Sequence, residues 1–245
     1  MGMKDKMELE DVAFIGRTYA EYVDMFALDE SAFLDGPVLD CPAGSSSFTA
    51  EACARGFKVT AADVLYNLSA GDLAAKGSRD LALMDRKLAE TAHLFRWDYY
   101  GDRDGHMQCR TSALRRFAAD YASNYMGGGT IGRYVCAELP RLPFTDGSFA
   151  LVLSSHFLFL YGDRMSPGFH VGSLKEMARV SSWEVRVYPL QGLDGRPYSH
   201  MDDVLESLQR DGIGTEIRPT PFEFFRGADK MLVLKAAIKI DERNV

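Results

Sequence analysis

From Phe14 to Leu28 apolar residues recur at roughly helical spacing, with Phe14, Ile15, Tyr19, Tyr22, Val23 and Phe26 in the repeating positions; polar Asp29 to Asp35 follows and is broken by Gly36-Pro37. This spacing predicts one amphipathic helix leading into the core. The pattern then shortens. Pro37 to Cys41 is a brief apolar run containing an acid, Asp40, and it is followed by Pro42-Ala43-Gly44, by Ser45, Ser46 and Ser47 as helix-start residues, and by a helical stretch from Phe48 to Arg55 closed by Gly56. These residues predict strand, tight turn, helix. Lys58 to Val64 reads as a second strand, with Asp63 at its carboxyl end.

Between Tyr66 and Gly129 the chain is rich in Ala, Leu, Arg and aromatics, with a break at Gly101 to Gly105 and a terminator at Gly127-Gly128-Gly129. A crossover helix needs only about a dozen residues, so residues 66–129 hold a crossover helix plus an inserted helical element. Strand patterns resume at Arg133–Ala137, Phe149–Ser155, Glu184–Leu190, Gly214–Arg218 and Met231–Ile238, with helical stretches at Phe169–Val180 and His200–Asp211. Strands alternating with helices predict an α/β fold with a doubly wound, mainly parallel, seven-stranded sheet of Rossmann-like type. The expected organisation is a single domain over residues 1–245, with a helical extension at 1–36 and the insert at 66–129.

Composition narrows the function classes. The chain has 245 residues, 47% hydrophobic and 26% charged, which suits an ordinary folded core. Its 28 basic against 35 acidic residues leave a formal charge of −7, so there is no basic footprint for a phosphate backbone and nucleic acid is disfavoured as a partner. Residues 1–10 mix both charges with no apolar block behind them, unlike a secretory signal, and no run approaches the ~20 apolar residues of a membrane span. Cys41, Cys53, Cys109 and Cys136 form no Cys-x-x-Cys pair. That spacing suits reduced thiols in a cytoplasm and no metal site.

In an open parallel sheet, ligands bind beyond the carboxyl ends of the strands. Distinctive residues occupy three such ends. Small residues after the first strand let a ligand approach the backbone and the amides of a helix start. Asp63 lies about 20 residues beyond the turn, where a carboxylate takes the two hydroxyls of a ribose. Glu138-Leu139 pairs an acid for an exocyclic amine with an apolar residue for a flat base. A lone Gly44 is ordinary turn chemistry, and a lone Asp after a strand is more often a helix cap. Their recurrence at one edge of successive strands describes a nucleoside pocket.

On these residues the chain resembles the class I S-adenosylmethionine-dependent methyltransferases. Val38-Leu39-Asp40-Cys41-Pro42-Ala43-Gly44 looks like the first motif of that family and Val59 to Val64 like its second. The most specific match runs from Glu138 to Ser155, through Leu142-Pro143-Phe144 and Asp146-Gly147-Ser148-Phe149 into the fourth strand, followed by Leu174–Val180 with Glu176 and Arg179. The resemblance covers roughly residues 36–65 and 133–190. It implies S-adenosylmethionine as cofactor and a small-molecule acceptor. It assigns Asp63 and Val64 to the ribose end, Glu138 and Leu139 to the adenine, and Asp40, Cys41, Pro42, Ala43 and Gly44 to the methionine portion, with Ser154 beside them.

The acceptor side is then expected from Ser154, Ser155 and His156, from the insert acting as a lid, and from the first helix, whose Arg17 could reach the cofactor carboxylate. His156 is the candidate general base, since its unperturbed pKa is about 6.5. The insert supplies Trp97, Tyr99, Tyr100, Tyr121 and Tyr125 with Arg110, Arg115 and Arg116, a set suited to an aromatic or anionic molecule or to the insert's own core. The chain departs from the first motif at Cys41 and Pro42, keeping only Gly44 of Gly-x-Gly, and carries Ala150 where the family has Asp. These departures keep open a non-catalytic S-adenosylmethionine-binding regulator or scaffold. A nicotinamide dehydrogenase is disfavoured because the three-glycine fingerprint is missing. Oligomeric state, including a homo-oligomer, is left open.

Overall fold

The structure, a computed structural model, describes residues 6, 7, 9, 11–33, 35–124 and 132–235, with Glu30 described by its backbone alone. Seven strands form one sheet in the order β3-β2-β1-β4-β5-β7-β6. They are β1 (Val38–Asp40), β2 (Val59–Asp63), β3 (Tyr134–Cys136), β4 (Phe149–Ser155), β5 (Ser181–Tyr188), β6 (Gly214–Pro219) and β7 (Lys230–Lys235). Strands β1 to β5 pair in parallel, while β7 inserts antiparallel between β5 and β6. The expected α/β class and seven-stranded, mainly parallel sheet are met. Residues 236–238 of the expected last strand, Tyr125 and Gly127-Gly128-Gly129 lie outside the described residues.

The central strands are apolar on both faces because helices cover both. Val38, Leu151, Leu153 and Val233 join one core with Tyr22, Phe26 and Phe48. Their immediate neighbours Leu39, Val152, Leu232 and Leu234 join the opposite core with Leu174, Met177 and Leu208. The switch of face at each residue is the two-residue period of a strand. The second core is closed by helices α5 (Pro167–Val180) and α6 (Met201–Arg210). The first lies under α1 (Tyr19–Met25) and α2 (Phe48–Ala54).

The insert after β2 consists of α3 (Ala70–Glu90), a 3-10 turn at Ala92–Leu94, and α4 (Arg103–Asn124). Ser69 caps α3 by accepting from the Asp72 amide. Where the two helices cross, a Cβ at Gly77 would come within 2.5 Å of the Leu114 side chain, so glycine permits the close approach. Tyr66, Phe117, Tyr121 and Tyr134 form a third cluster beneath the insert. Tyr121 is therefore core.

The N-terminal helix is shorter than the apolar spacing predicts. It begins at Tyr19, with Thr18 and Glu21 in a reciprocal capping box. Ala13 to Arg17 instead form a non-helical strap whose backbone bonds to other elements: Phe14 N donates to Asp80 Oδ2 at 2.7 Å, Ala13 N to the Tyr161 hydroxyl at 3.0 Å, and Arg17 O accepts from Ser47 N at 3.0 Å. Gly16 packs so closely that a Cβ there would lie 1.9 Å from Ser45 O. Those tertiary bonds use backbone groups that a helix would need internally. The fifth strand also differs from the expected Glu184–Leu190: α5 ends at Val180 and β5 runs directly from it over Ser181–Tyr188.

Candidate functional site

The chain leaves β1 toward β2 and leaves β4 toward β5, so the connections diverge between β1 and β4, where a crevice must open at the carboxyl edge. A cavity of about 450 Å³ occupies that place. One end is walled by Cys41, Pro42, Ala43, Gly44, Asp63, Val64, Ala137, Glu138 and Leu139. The other end is walled by rings and aliphatic side chains, among them Leu88, Phe95, Phe157, Tyr161, Phe224 and Phe225. The strap from Ala13 to Arg17 runs along both.

Of the ten residues assigned to the cofactor and the candidate base His156, nine line this cavity: Cys41, Pro42, Ala43, Gly44, Asp63, Val64, Glu138, Leu139 and His156. Asp40 and Ser154 do not. Asp40 is fully buried, accepts from the Tyr22 hydroxyl at 2.9 Å, and has no partner at Oδ2. Burial drives its pKa well above the ordinary carboxylate range, against the Tyr22 hydrogen bond, with Asp63 adding to the rise. Strand alternation sends the Ser154 side chain into the sheet face, where its Oγ is buried without a partner, and brings Ser155 to the cavity.

Asp63 ties two loops together. One carboxylate oxygen accepts from Gly44 N at 2.9 Å and the other from Leu65 N at 2.9 Å. Gly44 has φ +56°, a left-handed conformation natural to glycine that turns the loop after β1. Burial raises the pKa of Asp63, while the two amides and Lys76 oppose the rise. Each oxygen keeps acceptor capacity beyond its one amide, and Asp63 lines the cavity, so a pair of hydroxyl donors suits it. Leu139 is buried and Glu138 exposed, giving an apolar wall with an acid at its lip.

His156 closes the opposite side of the crevice. Its backbone is left-handed, φ +53°, an uncommon state for a side chain of this size, and its amide donates to Tyr188 O at 2.7 Å. Its Nδ1 lies 2.7 Å from Ser155 Oγ. The Ser155 hydroxyl is also placed to donate to Met25 Sδ at 3.9 Å; in that arrangement imidazole Nδ1 donates to Ser155 and Nε2 keeps its lone pair. Burial, then the charges of Arg17, Arg110 and His106, hold its pKa well below the usual histidine value. The ring is neutral at physiological pH.

No family model matches the chain. The uncharacterized protein MJ0045 of Methanocaldococcus jannaschii is 31% identical over 230 residues, which is 94% of this chain and 98% of that protein. This chain belongs to the MJ0045 family. Among solved structures, magnesium protoporphyrin IX methyltransferase from Synechocystis PCC 6803 with bound SAM is similar at 12% identity over 81% of this chain and 68% of that one, with a TM-score of 0.41. A SAM-dependent methyltransferase from Methanosarcina mazei is similar at 12% identity over 82% of this chain and 92% of its own length, with a TM-score of 0.42.

In this MJ0045-family chain the ring-lined half of the cavity is built largely from segments that carry no recognisable motif. The segment between β6 and β7 brings Phe224 and Phe225 over the sheet edge and pairs with the insert: Arg96 N donates to Phe224 O at 2.7 Å and Arg226 N to Leu94 O at 3.0 Å. The run Phe222-Glu223-Phe224-Phe225 was visible as an aromatic cluster, but with no period to place it. The insert contributes Lys76, Met84, Leu88, Phe95 and His106. Tyr100 instead donates to Glu21, which is also paired with Arg110, while Arg115 and Arg116 are exposed on α4. Trp97 packs on Phe224, ring centroids 5.3 Å apart. Glu176 and Arg179 fix the loop before β4, through Leu142 N to Glu176 at 2.6 Å and Arg179 to Phe144 O at 2.9 Å.

Among the described residues no group of three or more His, Cys, Asp or Glu could hold a metal ion, and no helix is long and apolar enough to cross a membrane.

Proposed function

We propose that this protein transfers a methyl group from S-adenosylmethionine to a small-molecule acceptor. The observation that carries the reading is a single cavity at the β1/β4 divergence whose polar end offers a buried carboxylate, small residues and an apolar wall, and whose other end is lined with rings. The motif resemblance along residues 36–65 and 133–190 supports the same assignment.

The cofactor supplies a methyl group already activated by the positive charge of its sulfur. The protein's task is therefore to hold the partners in line and to accept a proton where the acceptor must lose one. Asp63 would accept from the ribose hydroxyls, its carboxylate held in place by the Gly44 and Leu65 amides. Leu139 and Ala137 would flank the adenine with Glu138 at its edge, and the turn Cys41 to Gly44 would receive the methionine portion. Asp40 acts from behind this turn by fixing Tyr22, whose ring stacks on Phe48 at 4.4 Å. His156 is the proton acceptor in this scheme. The insert and the segment carrying Phe224 and Phe225 roof the acceptor end and exclude water.

Calorimetric titration with S-adenosylhomocysteine tests the reading directly. Wild type should bind it and Asp63→Ala should bind it far more weakly; a wild-type protein that gives neither heat nor a thermal shift would overturn the proposal. Turnover is read separately, as S-adenosylhomocysteine produced from S-adenosylmethionine and candidate acceptors.

A further inference from the structure

We infer that the acceptor is an apolar small molecule bearing one carboxylate, and that Arg17 holds that carboxylate in the ring-lined half of the cavity. The inference rests on the methyl-transfer reading for what the cavity does, and on independent observations for what it binds.

Arg17 and Lys76 are the Lys and Arg side chains on the cavity wall among the described residues. Lys76 is paired with Asp80 at 2.9 Å. Arg17 has no carboxylate within salt-bridge distance among the described residues; Nη1 donates only to the Ile15 and Gly16 carbonyls, at 3.3 and 3.4 Å. The carboxylate on the adjoining helix, Glu21, is already occupied by Arg110, by the Thr18 amide at 2.8 Å and by the Tyr100 hydroxyl. Of the acids on the wall, Asp63 holds two amides, while Asp11 and Glu138 are exposed. A guanidinium in apolar surroundings with most of its five donors unused is stabilised by an anion that matches its fork. A single unmatched cation fits one negative charge better than a phosphate dianion.

The same group could instead serve the cofactor's carboxylate, as expected from the sequence. Its surroundings favour the acceptor. Its Nη1 shares the Gly16 carbonyl with Arg110, whose guanidinium lies over the Tyr100 ring, and Tyr100 packs against His106 and Phe224. That sharing places the guanidinium beside the rings.

His106 gives a second, separate observation. It lines the cavity, is 2% exposed, stacks on Phe224 at 4.7 Å, and its buried Nδ1 has no hydrogen-bond partner. Burial, then the charges of Arg110 and Arg17, push its pKa down to about 2, so it meets a ligand as a neutral ring. Stacked on Phe224, the neutral ring adds an uncharged aromatic face to this end of the cavity, as an apolar ligand body requires. An anion on Arg17 would also remove one of the influences that depress His156, raising its basicity when the acceptor is in place.

The test uses matched probes, 3-phenylpropanoate and octanoate against their primary amides, titrated into the full chain saturated with S-adenosylhomocysteine. The carboxylates should bind on the order of 10- to 100-fold more tightly than the amides, the range expected for a charged hydrogen-bonded pair. Arg17→Gln should abolish the preference and Arg17→Lys should keep part of it, with the affinity for S-adenosylhomocysteine of both changed by less than about twofold. Equal binding of acid and amide by wild type, or no binding of either acid, overturns the inference. So does a loss of S-adenosylhomocysteine affinity in Arg17→Gln with the acid preference retained, which would assign Arg17 to the cofactor. If wild type binds the acids selectively but never S-adenosylhomocysteine, the methyl-transfer reading fails and the carboxylate site stands; the titrations are then read without the cofactor product.

Discussion

Glu21 of α1 and Arg110 of α4 form an ion pair that is almost wholly shielded from solvent, at 1% and 0% side-chain exposure. It joins the N-terminal helix to the insert. Arg110 also donates to Gly16 O at 2.6 Å, so the same guanidinium holds the strap. Burial raises the pKa of Glu21, but Arg110 and Arg17 outweigh it and leave the carboxyl ionised below its ordinary range.

Removing one partner leaves the other charge buried. Arg110→Met is expected to cost about 3–5 kcal/mol of stability. Combined with Glu21→Gln, the loss should be smaller than the sum of the single losses, because the pair is coupled. Urea denaturation of the two single variants and the double variant measures this; additive losses would show that the pair is not coupled.

Gly16→Ala should pry the strap from the loop after β1. The added Cβ meets Ser45 O, Ser45 C and Ser46 N at 1.9, 2.2 and 2.6 Å, all backbone atoms that cannot rotate away. The strap must move, disrupting the bond from Ser45 Oγ to Phe14 O at 3.1 Å. The expected cost is about 1–3 kcal/mol, read by thermal denaturation, with increased protease cleavage near residues 11–18.

Asp63→Ala and Asp63→Asn should separate two roles of one carboxylate. The alanine variant leaves the Gly44 and Leu65 amides without their acceptor, whereas asparagine retains one acceptor oxygen. Asp63→Ala should therefore be the less stable of the two. Both should lose affinity for S-adenosylhomocysteine by about 1.5–3 kcal/mol, the worth of hydrogen bonds to a charged group. Full affinity in Asp63→Asn would remove the charge from the account.

His106 predicts a pH effect whose sign is fixed by its depressed pKa, about 2 in the folded protein. The unfolded chain takes up the extra proton below about pH 6.5, so this histidine favours the folded state least in acid. Its contribution is present above that pH and lost as pH falls through it. His106→Phe keeps a ring against Phe224 and removes the titration. Between pH 7.5 and 5.5 the variant should become more stable relative to wild type by about 1–1.5 kcal/mol, measured by denaturation at both pH values. An unchanged difference would mean that His106 is not held neutral.

Much of the polar end was legible because its signals are local. Val38–Asp40, the Ser45–Ser47 helix start, Asp63 and the run from Glu138 into β4 are short segments whose hydrophobic alternation and turn residues fix strand, turn and helix within a few positions. Once consecutive strands lie parallel, their carboxyl ends share an edge, and residues at those ends become neighbours. Strand order and the insertion of β7 between β5 and β6 were not local and came only with the fold.

The sequence by itself determined the class of fold and that distinctive residues gather at one edge of the sheet, since both follow from the period of the hydrophobic positions and the chemistry of the turns. Tertiary structure decided the rest. Phe14 to Arg17 left the helix their spacing implied because Asp80, Ser47 and Arg110 offered their backbone tertiary partners. Asp40 and Ser154 turned into the protein while Ser155 turned out, because side chains alternate across a strand. Arg17, His106 and Phe224, far apart along the chain, came to wall one cavity because α4 and the β6–β7 segment pack over the same sheet edge.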